Sequence, residues 1–119
     1  MTGHLRIRRR GAPPDDTLIS MTASKTGASF SISAFTYNSP SRRERFYDYC
    51  SLMARVLVTQ VGARLHWGKH FPLQYEQISE LYPKLETFRQ IAQNREPNGV
   101  FRNGYTAGVL NLPPRRAAQ

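Results

Sequence analysis

Cysteine is almost absent from this chain. Cys50 stands alone among 119 residues, which excludes an internal disulfide and a cysteine-rich zinc site. A chain without a disulfide framework fits a reducing, intracellular compartment. Long apolar runs are missing too. No stretch approaches the ~18 residues that a membrane span needs, and no apolar segment follows the basic residues near the N-terminus. Neither a transmembrane helix nor a secretory signal is therefore expected, and no metal site. Carboxylates are scarce, with 8 Asp and Glu against 17 Lys and Arg and a net charge of +9. Such an excess raises the question of a nucleic-acid partner, but its distribution argues against one. Arg6, Arg8, Arg9 and Arg10 crowd one end and Arg115 and Arg116 the other, while residues 15–112 hold 11 basic and 8 acidic side chains. The internal cluster Arg42, Arg43 and Arg45 is interleaved with Glu44 and Asp48, as on a solvated helix face.

The length suits one modest domain, and 39% hydrophobic with 21% charged residues marks a folded rather than a disordered chain. Residues 1–14 are basic, end in Gly11-Ala12-Pro13-Pro14 and are expected to be flexible, as is the tail 113–119. After the Asp15-Asp16 turn, Leu18, Ile19 and Met21 suggest a short strand, joined through Ser24–Gly27 to a second. That second strand, expected over 29–37, is the clearest: Phe30, Ile32 and Ala34 alternate with Ser29, Ser31 and Ser33, and Phe35 and Tyr37 break the polarity, so that its far end is expected to be covered on both sides. Ser41 and Glu44 have capping-box spacing. Beyond them Phe46, Tyr49, Cys50, Met53, Val56 and Leu57 recur at helical intervals up to Gly62, a helix-stopping position. Cys50 lies on this stripe, so packing is favoured over nucleophilic chemistry. Ala63–Trp67 reads as a short strand. Helices are predicted over Tyr75–Tyr82, stopped by Pro83, and over Lys84–Asn94. Glu96-Pro97-Asn98-Gly99 is a turn, after which Val100 and Phe101 are expected to pack. The expected fold class is α+β, a small antiparallel sheet packed against helices.

One segment draws attention for its chemistry, His66-Trp67-Gly68-Lys69. On residue types alone, a core histidine, a packing tryptophan and a solvated lysine account for it as well as a site does. The surrounding order adds more. Gly62-Ala63-Arg64-Leu65-His66-Trp67-Gly68-Lys69 is followed by Leu81-Tyr82-Pro83-Lys84-Leu85, then Phe88-Arg89, then Glu96-Pro97-Asn98-Gly99-Val100-Phe101, then Asn103-Gly104-Tyr105. This series resembles the C-terminal region of the aldonolactone oxidases, the family of D-arabinono-1,4-lactone oxidase, L-gulonolactone oxidase and the alditol oxidases.

The resemblance implies an FAD-dependent oxidoreductase acting on CH–OH groups of a sugar lactone or alditol. Residues 15–112 would then be part of its C-terminal cap, with FAD bound by a separate domain or chain. It places Lys69 at the flavin and the substrate as a catalytic and cofactor-binding group. Gly68 would lie against the ring, and His66 would orient substrate or hold the turn. Members of that family carry a glutamate and an arginine two residues apart on a strand before the Asp15-Asp16 position, both reaching substrate. Here that stretch reads His4-Leu5-Arg6-Ile7-Arg8-Arg9-Arg10, with no carboxylate; Arg6 or Arg8 is the candidate for the arginine's substrate-binding role. A non-catalytic remnant of the cap, serving as a binding module, is the competing expectation.

Overall fold

The computed structural model describes residues 6–23, 25–37 and 39–116; His4, Leu5 and positions 117–119 lie outside them. The chain divides into two compact units, one of residues 1–15 and 25–72, the other of residues 16–24 and 73–119. Together they hold a two-stranded antiparallel sheet and four helices, an α+β arrangement.

The first unit begins with β1 (Arg6–Ala12), paired to β2 (Ser29–Phe35) in a register that sets Arg6 opposite Phe35, Arg9 opposite Ile32 and Ala12 opposite Ser29. The basic segment expected to be flexible is thus a strand, and the strand expected at 18–22 is not one. Those residues bend and turn instead. Ala23 N–H donates to the Ser20 carbonyl at 3.0 Å and Thr22 N–H to Ser20 Oγ at 3.1 Å, so the serine offers the backbone a local alternative to a ladder. In β1, stacking offsets the charge that reads as a solvated tail: the guanidiniums of Arg9 and Arg8 lie 4.6 and 5.7 Å from the ring centres of Phe30 and Phe35.

Helix α1 runs Pro40–Val61. It starts one residue before the expected cap, with Ser39 at the N-cap and Pro40 in the first turn, where a missing N–H costs nothing. The Ser41–Glu44 capping box does not form; Ser41 Oγ bonds Ser39 Oγ at 3.1 Å. The other end is as expected. Gly62 adopts φ 61°, and its N–H and that of Ala63 take the carbonyls of Val58 and Leu57. Along the stripe, Met53 and Val56 stay exposed and Ala54 is the buried residue of the helix. Ala63–Trp67 is not a strand: the sheet ends at two strands and offers it no ladder.

Most of the dry interior lies in the second unit. Helices α2 (Tyr75–Leu81), α3 (Leu85–Arg95) and α4 (Gly104–Val109) contribute Ile78, Leu85 and Val109 to a core that includes Ala23, Leu73, Tyr82, Leu110 and Leu112. Reciprocal side-chain bonds start α2 at Gln74–Gln77 and α4 at Asn103–Thr106, and Pro83 follows the end of α2. Arg89 donates from Nε to Leu110 O at 2.8 Å and from Nη2 to Asn111 O at 2.6 Å, a cation on the carbonyls that close α4.

The Glu96–Gly99 turn closes as expected, Gly99 N–H donating to Glu96 O at 3.2 Å. Val100 and Phe101 do not pack; Phe101 is 86% exposed. Residues 113–116 are held rather than loose, Arg116 N–H donating to Asn98 O at 3.0 Å. Gly99 has φ +72°, and a Cβ there would lie 2.7 Å from Arg115 Cα. Gly99→Ala should therefore destabilise the chain by roughly 1–3 kcal/mol. Gly108→Ala, where a Cβ meets nothing within 4 Å, should be neutral or stabilising by up to about 1 kcal/mol. Chemical unfolding of the two variants checks the contrast.

Candidate functional site

Beyond the Gly62 cap the chain runs without regular structure to a tight turn at His66–Lys69. Two bonds close it, and His66 accepts both. Lys69 N–H donates to the His66 carbonyl at 3.1 Å, and Gly68 N–H donates to His66 Nδ1 at 3.1 Å. The second bond requires Nδ1 to be free of its proton, which fixes the neutral tautomer as Nε2–H while the bond holds. His66 is exposed, and its carbonyl and ring nitrogen both accept from the backbone of this turn.

Gly68 has no left-handed backbone. An added Cβ would meet only the His66 ring, at 3.5 and 3.6 Å, which is ordinary contact. The turn itself therefore does not require glycine. Lys69 is exposed, and among the described residues its ammonium has neither a hydrogen-bond nor an ion-pair partner. Trp67 and Phe71 are half-buried and stack on each other, centroids 5.0 Å apart at 14°.

His70, which sequence reasoning passed over, ties this segment to α1. Its Nε2 lies 2.8 Å from Ser51 Oγ and its ring stacks on Tyr47 at 4.7 Å. Tyr47 and Ser51 are four residues apart and so share a helix face. That spacing was visible in the sequence, but its partner 19 residues beyond Ser51 was not.

Arg6 and Arg8 project from the same face of β1, since side chains two apart on a strand do so. Arg6 lines a shallow, open depression with Phe35, Thr36 and Tyr37. Thr36 and Tyr37 also border a second depression, with Ser39, Arg43, Phe46 and Tyr47. Thr36 was likewise not singled out from sequence. Among the described residues no hydrogen bond, ion pair or ring contact joins Arg6 or Arg8 to the 66–69 turn. Partial burial pushes the Cys50 thiol up from its ordinary value, which disfavours the thiolate and any nucleophilic use. No group of three His, Cys, Asp or Glu among the described residues could hold a metal ion, and no helix there is long and apolar enough to cross a membrane.

The family model described as D-arabinono-1,4-lactone oxidase matches residues 2–109. The chain belongs to that family. Among curated relatives of this lactone oxidase family member, a long-chain alcohol oxidase of an uncultured marine euryarchaeote is 38% identical over 107 residues, covering 90% of this chain and 22% of the relative. L-gulonolactone oxidase 5 of Arabidopsis thaliana is 23% identical over 83 residues, 70% of this chain and 14% of that protein. A probable truncated L-gulonolactone oxidase 7, mitochondrial, of the same plant is 25% identical over 67 residues, 56% of this chain and 27% of its own length. The chain thus spans about a quarter or less of these relatives. No solved structure matches it.

The turn makes separable predictions. Gly68→Ala should leave stability within about 0.5 kcal/mol, because the Cβ has room. His66→Ala removes the ring acceptor but not the backbone one, so amide exchange at Gly68 should accelerate several-fold more than at Lys69. Hydrogen exchange by NMR on the two variants reads both effects.

Proposed function

We propose that this chain is part of the C-terminal cap of an FAD-dependent oxidoreductase that oxidises a CH–OH group of an aldonolactone or sugar alcohol. In this reading residues 15–112 form that part of the cap, and a separate domain or chain binds FAD. The observation that carries the reading is the ammonium of Lys69, without a partner among the described residues, on a turn closed by two bonds to His66. The names of the relatives, an alcohol oxidase and lactone oxidases, agree with a substrate bearing an oxidisable hydroxyl carbon.

The residues present fit one edge of a flavin and no more. Gly68 leaves the backbone bare on a turn that does not itself exclude a Cβ, as close approach of a planar ring requires. No glycine-rich segment suited to a pyrophosphate occurs in the sequence. FAD, when bound, supplies the hydride acceptor. With a flavin bound, the Lys69 ammonium would offer a positive charge where negative charge grows on reduction, which favours the transition state over the ground state. His66 keeps that charge in place by closing the turn, and its Nε2–H remains available to a substrate oxygen. Arg6 and Arg8 supply donors to substrate from β1.

Anaerobic flavin reduction tests the assignment, with the chain joined to or combined with an FAD-binding domain. Lys69→Met should slow reduction by at least ~10²-fold, the size expected for one preorganised charge in a sheltered site. Lys69→Arg should restore only part of the rate, since a planar guanidinium does not replace a compact ammonium. Thermal unfolding should barely change in either. Unaltered reduction in Lys69→Met would withdraw the assignment.

A further inference from the structure

The hairpin that carries Arg6 and Arg8 has a composition that the fold explains only in part, through the stacking of Arg8 and Arg9 on Phe35 and Phe30. Across β1 and β2 there are four arginines and no carboxylate. Arg6, Arg8 and Arg10 share one face, spaced roughly 6.5–7 Å along the strand, and their cross-strand partners are Phe35, Ser33 and Ser31. All are exposed, and among the described residues none is paired with a carboxylate. The unit around them carries 11 basic and 3 acidic residues, a net +8, whereas the other carries 6 and 5, a net +1. Like charges in a row on a strand repel and oppose folding. Arg6 and Arg10 have no such ring contact among the described residues, and serine or threonine there would make the same strand without that cost.

From this we infer that the Arg6–Arg8–Arg10 face of β1 binds an anionic group, so that the sugar alcohol oxidised in the reading above carries a carboxylate or phosphate beside its reacting carbon. The inference rests on that oxidase reading only for the sugar alcohol. A neutral polyol needs acceptors for its hydroxyl protons as well as donors for its lone pairs. Guanidinium offers five donors and no acceptor, and what stands across the ladder from Arg8 and Arg10 is the neutral hydroxyls of Ser33 and Ser31, with no carboxylate on either strand. Carboxylate and phosphate are what that fork matches, two parallel bonds at a time. Arg8 is steadied by its contact with Phe35, which orients the guanidinium without using its N–H groups. Beside Arg6, Phe35, Thr36 and Tyr37 line the open depression; an apolar wall with a hydroxyl suits the carbon chain that links the anionic group to the alcohol.

Equilibrium titration of the 15N-labelled chain tests this without any flavin. At low ionic strength the ligands are D-gluconate, D-glucose 6-phosphate and neutral xylitol, followed at the arginine side-chain and β1 backbone resonances. The two anionic arms show which group the site takes. Saturable shifts confined to the hairpin are expected with at least one anion and not with xylitol. Arg6→Gln/Arg8→Gln should weaken that binding at least about tenfold, the loss of one or two charged hydrogen bonds. Arg115→Gln/Arg116→Gln should leave it within about twofold, as expected for substitutions away from the bound group. Arg6→Lys/Arg8→Lys keeps the charge and the strand while removing the fork, and should weaken binding by an intermediate factor. Equal binding of xylitol, absence of saturation, or equal losses in the Arg115/Arg116 variant would overturn the inference and leave the oxidase reading standing. Unaltered flavin reduction in Lys69→Met would do the reverse.

Discussion

The guanidinium of Arg102 is buried and cannot shed its charge, so the chain around it has to supply acceptors. It does so from three places. Nη2 donates to the Glu96 carbonyl at 2.6 Å and Nη1 to the Pro113 carbonyl at 3.0 Å. Nε faces the Glu96 carboxylate at 3.1 Å, a charge contact without hydrogen-bond alignment. Meeting those demands draws residues 113–116 against the Glu96–Gly99 turn, which leaves no room for a Cβ at Gly99. The other carboxylate oxygen of Glu96 accepts from Phe101 N–H. The backbone of 96–102 is thus committed to its own cation, while the Phe101 ring is left in solvent.

Among its described residues the first unit has no comparable buried cation. Ile7, Phe30 and Ile32 lie on one face of its hairpin and remain some six-tenths exposed, and two strands alone bury too little to be stable. Arginine–aromatic stacking, with cross-strand hydrogen bonds, holds that hairpin together. Where the segment 63–72 meets α1, the contact is polar and aromatic, made by His70 against Ser51 and Tyr47. A unit held by such contacts keeps large apolar groups on its surface, the pattern of a surface that meets another body.

Local signals carried through wherever one residue type decides the backbone. Gly62 at φ 61°, Pro83 after α2 and Pro97 in the 96–99 turn are each sufficient alone, and the alternation in Ser29–Phe35 fixed a strand. The partner of that strand was not legible. Leu18, Ile19 and Met21 look more like a strand than Arg6–Ala12 does, yet Ser20 diverts the first and two phenylalanines rescue the second. Pairing depends on cross-strand neighbours, and those are known only once the register is. The site was legible as a motif, because His66, Gly68 and Lys69 are contiguous. His70 and Thr36 were not, since their neighbours come from distant sequence.

The contrast between the cations that the fold consumes and those it leaves is the remaining step. Lys84, Arg89 and Arg102 each donate to backbone carbonyls; their charge has a structural use. Arg6 and Lys69 have none among the described residues. Gly68 stands apart from Gly62 and Gly99 in the same way, since they need a positive φ and it does not. Glycine outside such a position costs some chain entropy, and a row of arginines costs repulsion. Bare backbone, a free ammonium and a donor-only strand all lie in the unit whose own packing is thinnest. Each is what the anion and the flavin proposed above would use.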